Sequence, residues 1–272
     1  YGAGQGESVT SGAAGTIQVT APLASSLAVL LRGGGRPAGD VRTGAGRLEN
    51  SSLQNRYADI GLGYVGQQLT GGVALSTYSF EYGLLAPEDA EESGVRLDGR
   101  RQQAKARADL AFNSGIFRDL HLDGSSQWYA HDEIEDTGEV GTTFKLNTQT
   151  ADLRANTSLS GIEGTLGASA FFRQYEPAGE EALTPPANSS SGGIFLYQEL
   201  PIPGLGHEED EHAPLFQIGV RYDRYQIALA DETAEVGELY FDAISGSAGV
   251  NIPLGHDASA GVSVARAFRA PT

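Results

Sequence analysis

Cysteine is absent from this chain, and so is methionine, while tryptophan occurs once. Without cysteine there is no disulfide framework and no thiolate metal site, and an oxidising compartment is permitted without being demanded. Basic residues are scarce: 18 Lys and Arg stand against 35 Asp and Glu, a net charge of −17. A phosphate backbone needs a basic footprint, so nucleic acid is disfavoured as a partner and cations are favoured. No run approaches the ~20 apolar residues of a membrane helix. A spanning β-barrel stays open, because it shows only strand-by-strand alternation. A nucleophile elbow, a Ser/His/Asp arrangement and a phosphate loop are also missing, so no enzymatic role is expected.

What the 272 residues do contain is period-2 patterning, in enough chain for one all-β domain or two smaller ones. About eleven strands are expected, near 16–33, 53–67, 69–81, 94–112, 117–131, 139–158, 162–175, 191–201, 215–228, 239–252 and 256–267. In the fourth, Arg101, Lys105, Arg107 and Asp109 alternate with Ala104, Ala106, Ala108 and Leu110. In the fifth, Asp119, His121, Asp123 and Gln127 alternate with Leu120, Leu122, Ser126 and Trp128. Such a charged face fits either the wall of a lumen or the surface of a soluble sheet.

The connections discriminate better. Short Gly-containing turns at 113–116, 159–161 and 253–255 alternate with longer acidic segments at 82–93, 132–137, 176–190 and 229–238. Outer-membrane barrels alternate short periplasmic turns with long extracellular loops. The segment 202–214 is too long for its place and reads as an insertion. Several strands exceed the ~9–11 tilted residues that cross a bilayer, so they should project beyond it. Tyr78, Phe80, Tyr82, Trp128, Tyr129, Phe171, Phe172, Tyr175, Tyr222 and Tyr225 fall near the ends assigned to the outside and are expected as an interfacial girdle.

Four stretches carry a family resemblance. Arg266-Ala267-Phe268-Arg269-Ala270-Pro271-Thr272 resembles the Arg-x-Phe-Arg-Ala-Pro-Thr segment in the barrel of TonB-dependent outer-membrane receptors. Tyr129, His131, Glu133 and Glu135, followed by Gly138, Gly141, Thr142 and Phe144, are similar to a stretch in the zinc- and haem-type branch of these receptors. Gly219-Val220-Arg221-Tyr222-Asp223 is similar to a barrel strand, and Gly12 to Val19 resemble the last strand of the plug domain. The resemblance implies an all-β antiparallel meander forming part of a transmembrane barrel of about 22 strands with a plugged lumen. Residues 1–22 would end the plug and join it to the barrel, and 23–272 would form the barrel's N-terminal half. The implied activity is energised uptake of a metal, metal chelate or similar small nutrient across the bacterial outer membrane. The implied partners are outer-membrane lipid, the small nutrient, and the TonB complex acting through an N-terminal region not represented here. With no initiating Met and no leader, the chain is expected to be a piece of a longer receptor. The competing readings are a passive porin-type channel and a soluble secreted β-sandwich or adhesin.

His131, Glu133 and Glu135 stand at alternate positions, so an extended backbone projects them to one face. A His with two carboxylates suits zinc or a similar cation, as transported ligand rather than resident cofactor; no cofactor is expected. The bland alternative is a solvated strand end. A fourth ligand is expected from Glu88, Asp89, Glu91 or Glu92, whereas His207, Glu208, Glu209, Asp210, Glu211 and His212 read as an acidic turn on the periplasmic side.

Overall fold

Alternation at period 2 gives the chain strands with one apolar and one polar edge, and such strands pair edge to edge. The computed structural model describes residues 1–85, 94–179, 182–202, 213–229, 237–254 and 258–270. Its strands are β1 Gly2–Glu7, β2 Gly12–Ala24, β3 Leu27–Ala38, β4 Arg42–Thr43, β5 Gly46–Arg47, β6 Leu53–Val65, β7 Leu69–Gly83 and β8 Arg96–Ala111. They continue as β9 Phe117–Ile134, β10 Val140–Leu159, β11 Ile162–Ala178, β12 Ala187–Pro201, β13 Leu215–Leu229, β14 Glu238–Pro253 and β15 Ser259–Arg266. Apart from the small hairpin β4–β5, all belong to one 13-stranded antiparallel meander whose edges are β1 and β15. No helix occurs among the described residues.

The sheet has thirteen strands where about eleven were expected, and both additions lie at its start. The stretch 16–33 is two strands, β2 and β3, joined at Ser25 and Ser26 between the paired Ala24 and Leu27. That turn contains neither Gly nor Pro, so the alternation reads through it. In β1 the positions of one face are Gly2, Gly4 and Gly6, which leave no pattern to read. The boundary at residue 22 falls inside β2, and both β1 and β2 continue the sheet. Where a turn was legible its geometry is regular: Ser160 (φ 52°) and Gly161 (φ 81°) close β10 onto β11 as a two-residue hairpin, with Leu159 paired to Ile162. Positive φ at both central positions matches the strands' twist.

The two faces differ sharply. Along one row run Leu62, Val73, Ala106, Gly124, Ala151 and Ala170, each the direct partner of the next. On the opposite face a row runs from Arg32 through Asp59, Ser76, Gln103, Gln127 and Thr148 to Arg173. The apolar face is exposed: Val220 and Ile244 are 49 % and 67 % accessible, while the side chains of Arg221 and Asp223 on the polar face, at 37 % and 26 %, are partly covered by neighbours. Among the described residues Leu97 and Ala155 are the only buried hydrophobic side chains, so no second sheet packs on the meander there to make a core of the sandwich kind. An apolar surface of this extent on a single layer marks a side that faces a membrane or another protein. On β9 it runs from Leu120 to Trp128, about nine residues, the length that crosses a bilayer when tilted.

The polar face is crowded because rings cover glycines across strands. A Cβ placed on Gly99 would overlap the Phe80 ring, and one on Gly34 or Gly167 would meet the ring of Tyr57 or Phe195. Gly99→Ala is therefore expected to push Phe80 out of its place between Tyr82 and Tyr129 and to lower stability by ~1–3 kcal/mol, the usual cost of overpacking. A reduced urea midpoint in the refolded receptor, set beside an unaffected Gly6→Ala, where a Cβ meets nothing, checks it.

Candidate functional site

The alternation that turns Ala104, Ala106 and Ala108 outward turns Arg101, Lys105 and Arg107 onto the polar wall, as the sequence pattern requires. The wall has two tiers. Near the end with the short turns lies an ion-pair seam. Asp109 on β8 accepts from Arg107 at 3.0 and 3.2 Å and contacts Nδ1 of His121 on β9, while His121 Nε2 lies 2.7 Å from Asp119. Asn156 on β10 donates to Asp119 at 2.8 Å and accepts from Thr165 on β11 at 2.8 Å. The seam thus ties four strands together through side chains as well as backbone. Further along the sheet, Arg221 holds Asp223 at 2.7 Å and donates to Ser169 Oγ at 2.8 Å. Beside the seam the wall is recessed: Ala28, Leu30, Gly61, Gly72 and Ala74 line a hollow of about 830 Å3 rimmed by Arg107.

Toward the end with the long connections the wall becomes aromatic. Tyr78, Phe80 and Tyr82 run up β7 with centroids 5.7 and 5.6 Å apart. The file continues sideways: Phe80 stacks with Tyr129 at 6.2 Å, Tyr129 meets His131 at 5.4 Å, His131 stacks on Phe144 at 4.8 Å and 18°, and Phe144 stacks with Tyr175 at 6.2 Å. Guanidinium groups lie over the rings of this tier: Arg101 over Tyr78 at 5.6 Å and Arg173 over Phe171 at 5.0 Å. Ring faces and guanidiniums together suit a flat, anionic, partly aromatic ligand. This corrects the expected girdle. Of the aromatics assigned to it, Trp128, Phe172 and Tyr222 face outward, whereas Tyr78, Phe80, Tyr82, Tyr129, Phe171, Tyr175 and Tyr225 share the polar wall. Nearness to a strand end was legible in the sequence; alternation within each strand, set against that strand's own charged and apolar residues, was the signal that would have separated the two sets.

His131 and Glu133 occupy consecutive positions on this wall, opposite Phe144 and Thr142 of β10. Glu135 follows the end of β9, and its backbone sits in the turn, its N–H donating to the Glu139 carbonyl at 2.9 Å. Among the described residues no three His, Asp or Glu side chains are placed to hold a metal ion. The expected helpers Glu88, Asp89, Glu91 and Glu92, and the cluster from His207 to His212, lie outside the described residues. His131 stands beyond Trp128 and so outside the apolar band. Its Nδ1 is buried without a hydrogen-bond partner, and burial between rings lowers its pKa, against the opposing pull of Glu133 and Asp132. A neutral imidazole with a free ring nitrogen is the form that ligates a metal or accepts a proton donor.

A family model described as TonB dependent receptor-like, beta-barrel, matches residues 21–272. No curated protein matches at the level of sequence. Among solved structures, the FrpB iron transporter from Neisseria meningitidis superposes with TM-score 0.77 at 12 % identity, over 99 % of this chain and 46 % of that one. The copper transporter OprC gives 0.69 at 13 %, over 100 % and 44 %. BauA, the ferric preacinetobactin receptor from Acinetobacter baumannii, gives 0.68 at 11 %, over 93 % and 45 %. The chain therefore spans about half the length of these proteins, and at such identities the likeness is one of fold.

Proposed function

Because the chain belongs to the TonB-dependent receptor β-barrel family, we propose that it builds the N-terminal half of the wall of an outer-membrane active-transport receptor. In this reading residues 1–22 carry the chain in from a plug, 23–272 line the lumen, and the TonB complex supplies the energy through the plug. The cargo is a metal, a metal chelate or a similar small nutrient. The observation that carries the reading is the reversal of faces, with an apolar band exposed around a charged and aromatic wall. A soluble adhesin has no use for that band. A wall lined by rings and guanidiniums suits capture of a ligand better than free diffusion. The test is uptake of radiolabelled zinc and of a ferric chelate by cells carrying the complete receptor, with and without the coupling complex. Uptake that persists when coupling is removed would turn the reading into a passive channel.

Within that reading His131, Glu133 and Glu135 serve as part of a cation-capturing mouth, completed by carboxylates of a neighbouring loop. Replacing all three by Ala is expected to weaken zinc binding to the intact receptor at least tenfold by calorimetry, the loss of ~1.4 kcal/mol or more. Unchanged affinity reduces them to a solvated strand end. The pH profile follows from the lowered imidazole pKa: His131 stays neutral down through its ordinary value of 6.5, and protons displace the metal only below that. Binding should hold between pH 7.5 and about 6.5 and fall at more acid pH.

A further inference from the structure

The connection from β3 to β6, residues 39–52, lies at the end of the sheet that carries the long connections, where loops are ordinarily the mobile part of a fold. Its own side chains tie it down. Asp40 accepts from Arg47 Nε at 2.8 Å, from Arg47 Nη2 at 2.6 Å and from the Ser51 N–H at 3.0 Å, and its side chain is only 11 % exposed. Ser51 Oγ accepts from the Val41 N–H at 2.8 Å and donates to the Leu48 carbonyl at 2.6 Å, so the small hairpin is closed from inside. On one flank the segment bonds to the turn between β1 and β2: the Gly39 N–H donates to the Thr10 carbonyl at 2.9 Å and the Arg42 N–H to the Val9 carbonyl at 3.0 Å.

On the other flank stands Asn50. Its backbone is left-handed, φ 55°, a conformation that asparagine tolerates better than most residues. From there Nδ2 reaches the ends of β7 and β8, donating to the Leu84 carbonyl at 2.7 Å and to the Val95 carbonyl at 3.0 Å. An amide carries two N–H groups, so each stem of the connection 84–95 takes one. The Leu84 N–H also donates to the Val95 carbonyl at 2.7 Å, which closes the base of that connection. Gly83 is what lets Asn50 come so near, because a Cβ there would overlap the Asn50 carbonyl oxygen and Oδ1. The order passes on into the candidate site. Arg96, which donates to Ser52 Oγ at 3.4 Å and pairs with Glu81, lies opposite Ile134, and the buried Leu97 lies opposite Glu133.

We propose that Asn50 is a positioning residue for cation capture: it clamps Leu84 and Val95 against the fixed segment 39–52 and so holds the strand end beside Glu133 in place before any cation arrives. A mouth ordered in advance loses less entropy on binding. The inference rests on the capture reading of His131, Glu133 and Glu135, and the experiment separates the two.

Zinc binding to the complete receptor is measured by calorimetry, and amide hydrogen exchange is followed in the same preparations without zinc. Asn50→Gly keeps the left-handed backbone and removes both donors, so it should weaken zinc binding about fivefold and speed exchange across 83–97. Gly83→Ala retains Asn50 but displaces it, and should do the same. Gly44→Ala, where a Cβ meets nothing, should change neither. Adding Leu84→Cys and Val95→Cys to Asn50→Gly puts a disulfide in place of the amide clamp, in a chain with no other cysteine. Oxidised, this variant should bind zinc within about twofold of the unaltered receptor; reduced, it should stay weak. Unchanged affinity in Asn50→Gly, or a loss that the oxidised pair does not repair, overturns the proposal alone. An unaltered receptor that binds no zinc overturns it together with the capture reading.

Discussion

Ala151→Arg should destabilise the receptor by ~2–4 kcal/mol, whereas Thr150→Arg, its immediate neighbour, should cost about 1 kcal/mol or less. Ala151 lies on the exposed apolar row between Gly124 and Ala170, in the middle of the band, so a guanidinium there faces hydrocarbon from every side. Thr150 lies on the polar wall, where its hydroxyl shares a 2.8 Å hydrogen bond with Ser125. An Arg at that position forfeits that bond but keeps its charge in the hydrated lumen. Refolding into lipid vesicles and titrating with urea measures both. If the two variants cost the same, the apolar face does not meet lipid and the transport reading goes with it. A comparison of adjacent residues is more informative than either alone, because helix or strand propensity, loop closure and distance from the turns are shared between them.

The same contrast is legible in the amino-acid sequence. Alternation in residues 101–112 and 119–131 settled which side chains share a face, since a strand has one period and a charged residue in lipid is too costly to tolerate. The pattern failed where side chains carry no contrast. Gly2, Gly4 and Gly6 hide β1, and the Ser25–Ser26 turn hides the join of β2 to β3. For the site, the position of His131 and Glu133 on one wall was legible, because it needs only an extended backbone. The aromatic file was not. Phe80, Tyr129, His131, Phe144 and Tyr175 come from four strands, and their contacts follow from inter-strand register, which is set by connection lengths and bulges. One such irregularity lies between Val140 and Thr142, just where Glu133 pairs, and no composition signal announces it. The glycines beneath the rings share that origin: Gly99 is informative only once Phe80 is known to lie across from it.

Deleting Ala106 alone should prevent assembly, and deleting Ala106 with Arg107 should largely restore it. A strand of period 2 cannot lose one residue locally: everything on one side of the gap must turn to the other face. If the part toward residue 96 turns, Lys105 and Gln103 go to lipid; if the part toward residue 111 turns, Arg107 and Asp109 do. The second choice also tears Asp109 from His121 and opens the seam that ties β8 to β9. Each Arg or Lys exposed to hydrocarbon costs ~2–4 kcal/mol, and a torn seam adds unpaired charge, against a total stability of ~5–15 kcal/mol for a typical fold. The double deletion joins Lys105 directly to Ala108, so inward Lys105, outward Ala108 and inward Asp109 keep their faces while the strand shortens by one pair. The expected cost is then the Arg107–Asp109 ion pair and a two-residue register shift in one half of β8, which also parts Asp109 from His121 if the half toward residue 111 is the one that moves. Heat-modifiable migration on gels, which reports a closed barrel, and surface labelling of whole cells measure the outcome. Equal assembly of the single and double deletions would mean that strand parity in β8 is not what places its charges, and both the lumen wall and the lipid-facing band would have to be redrawn.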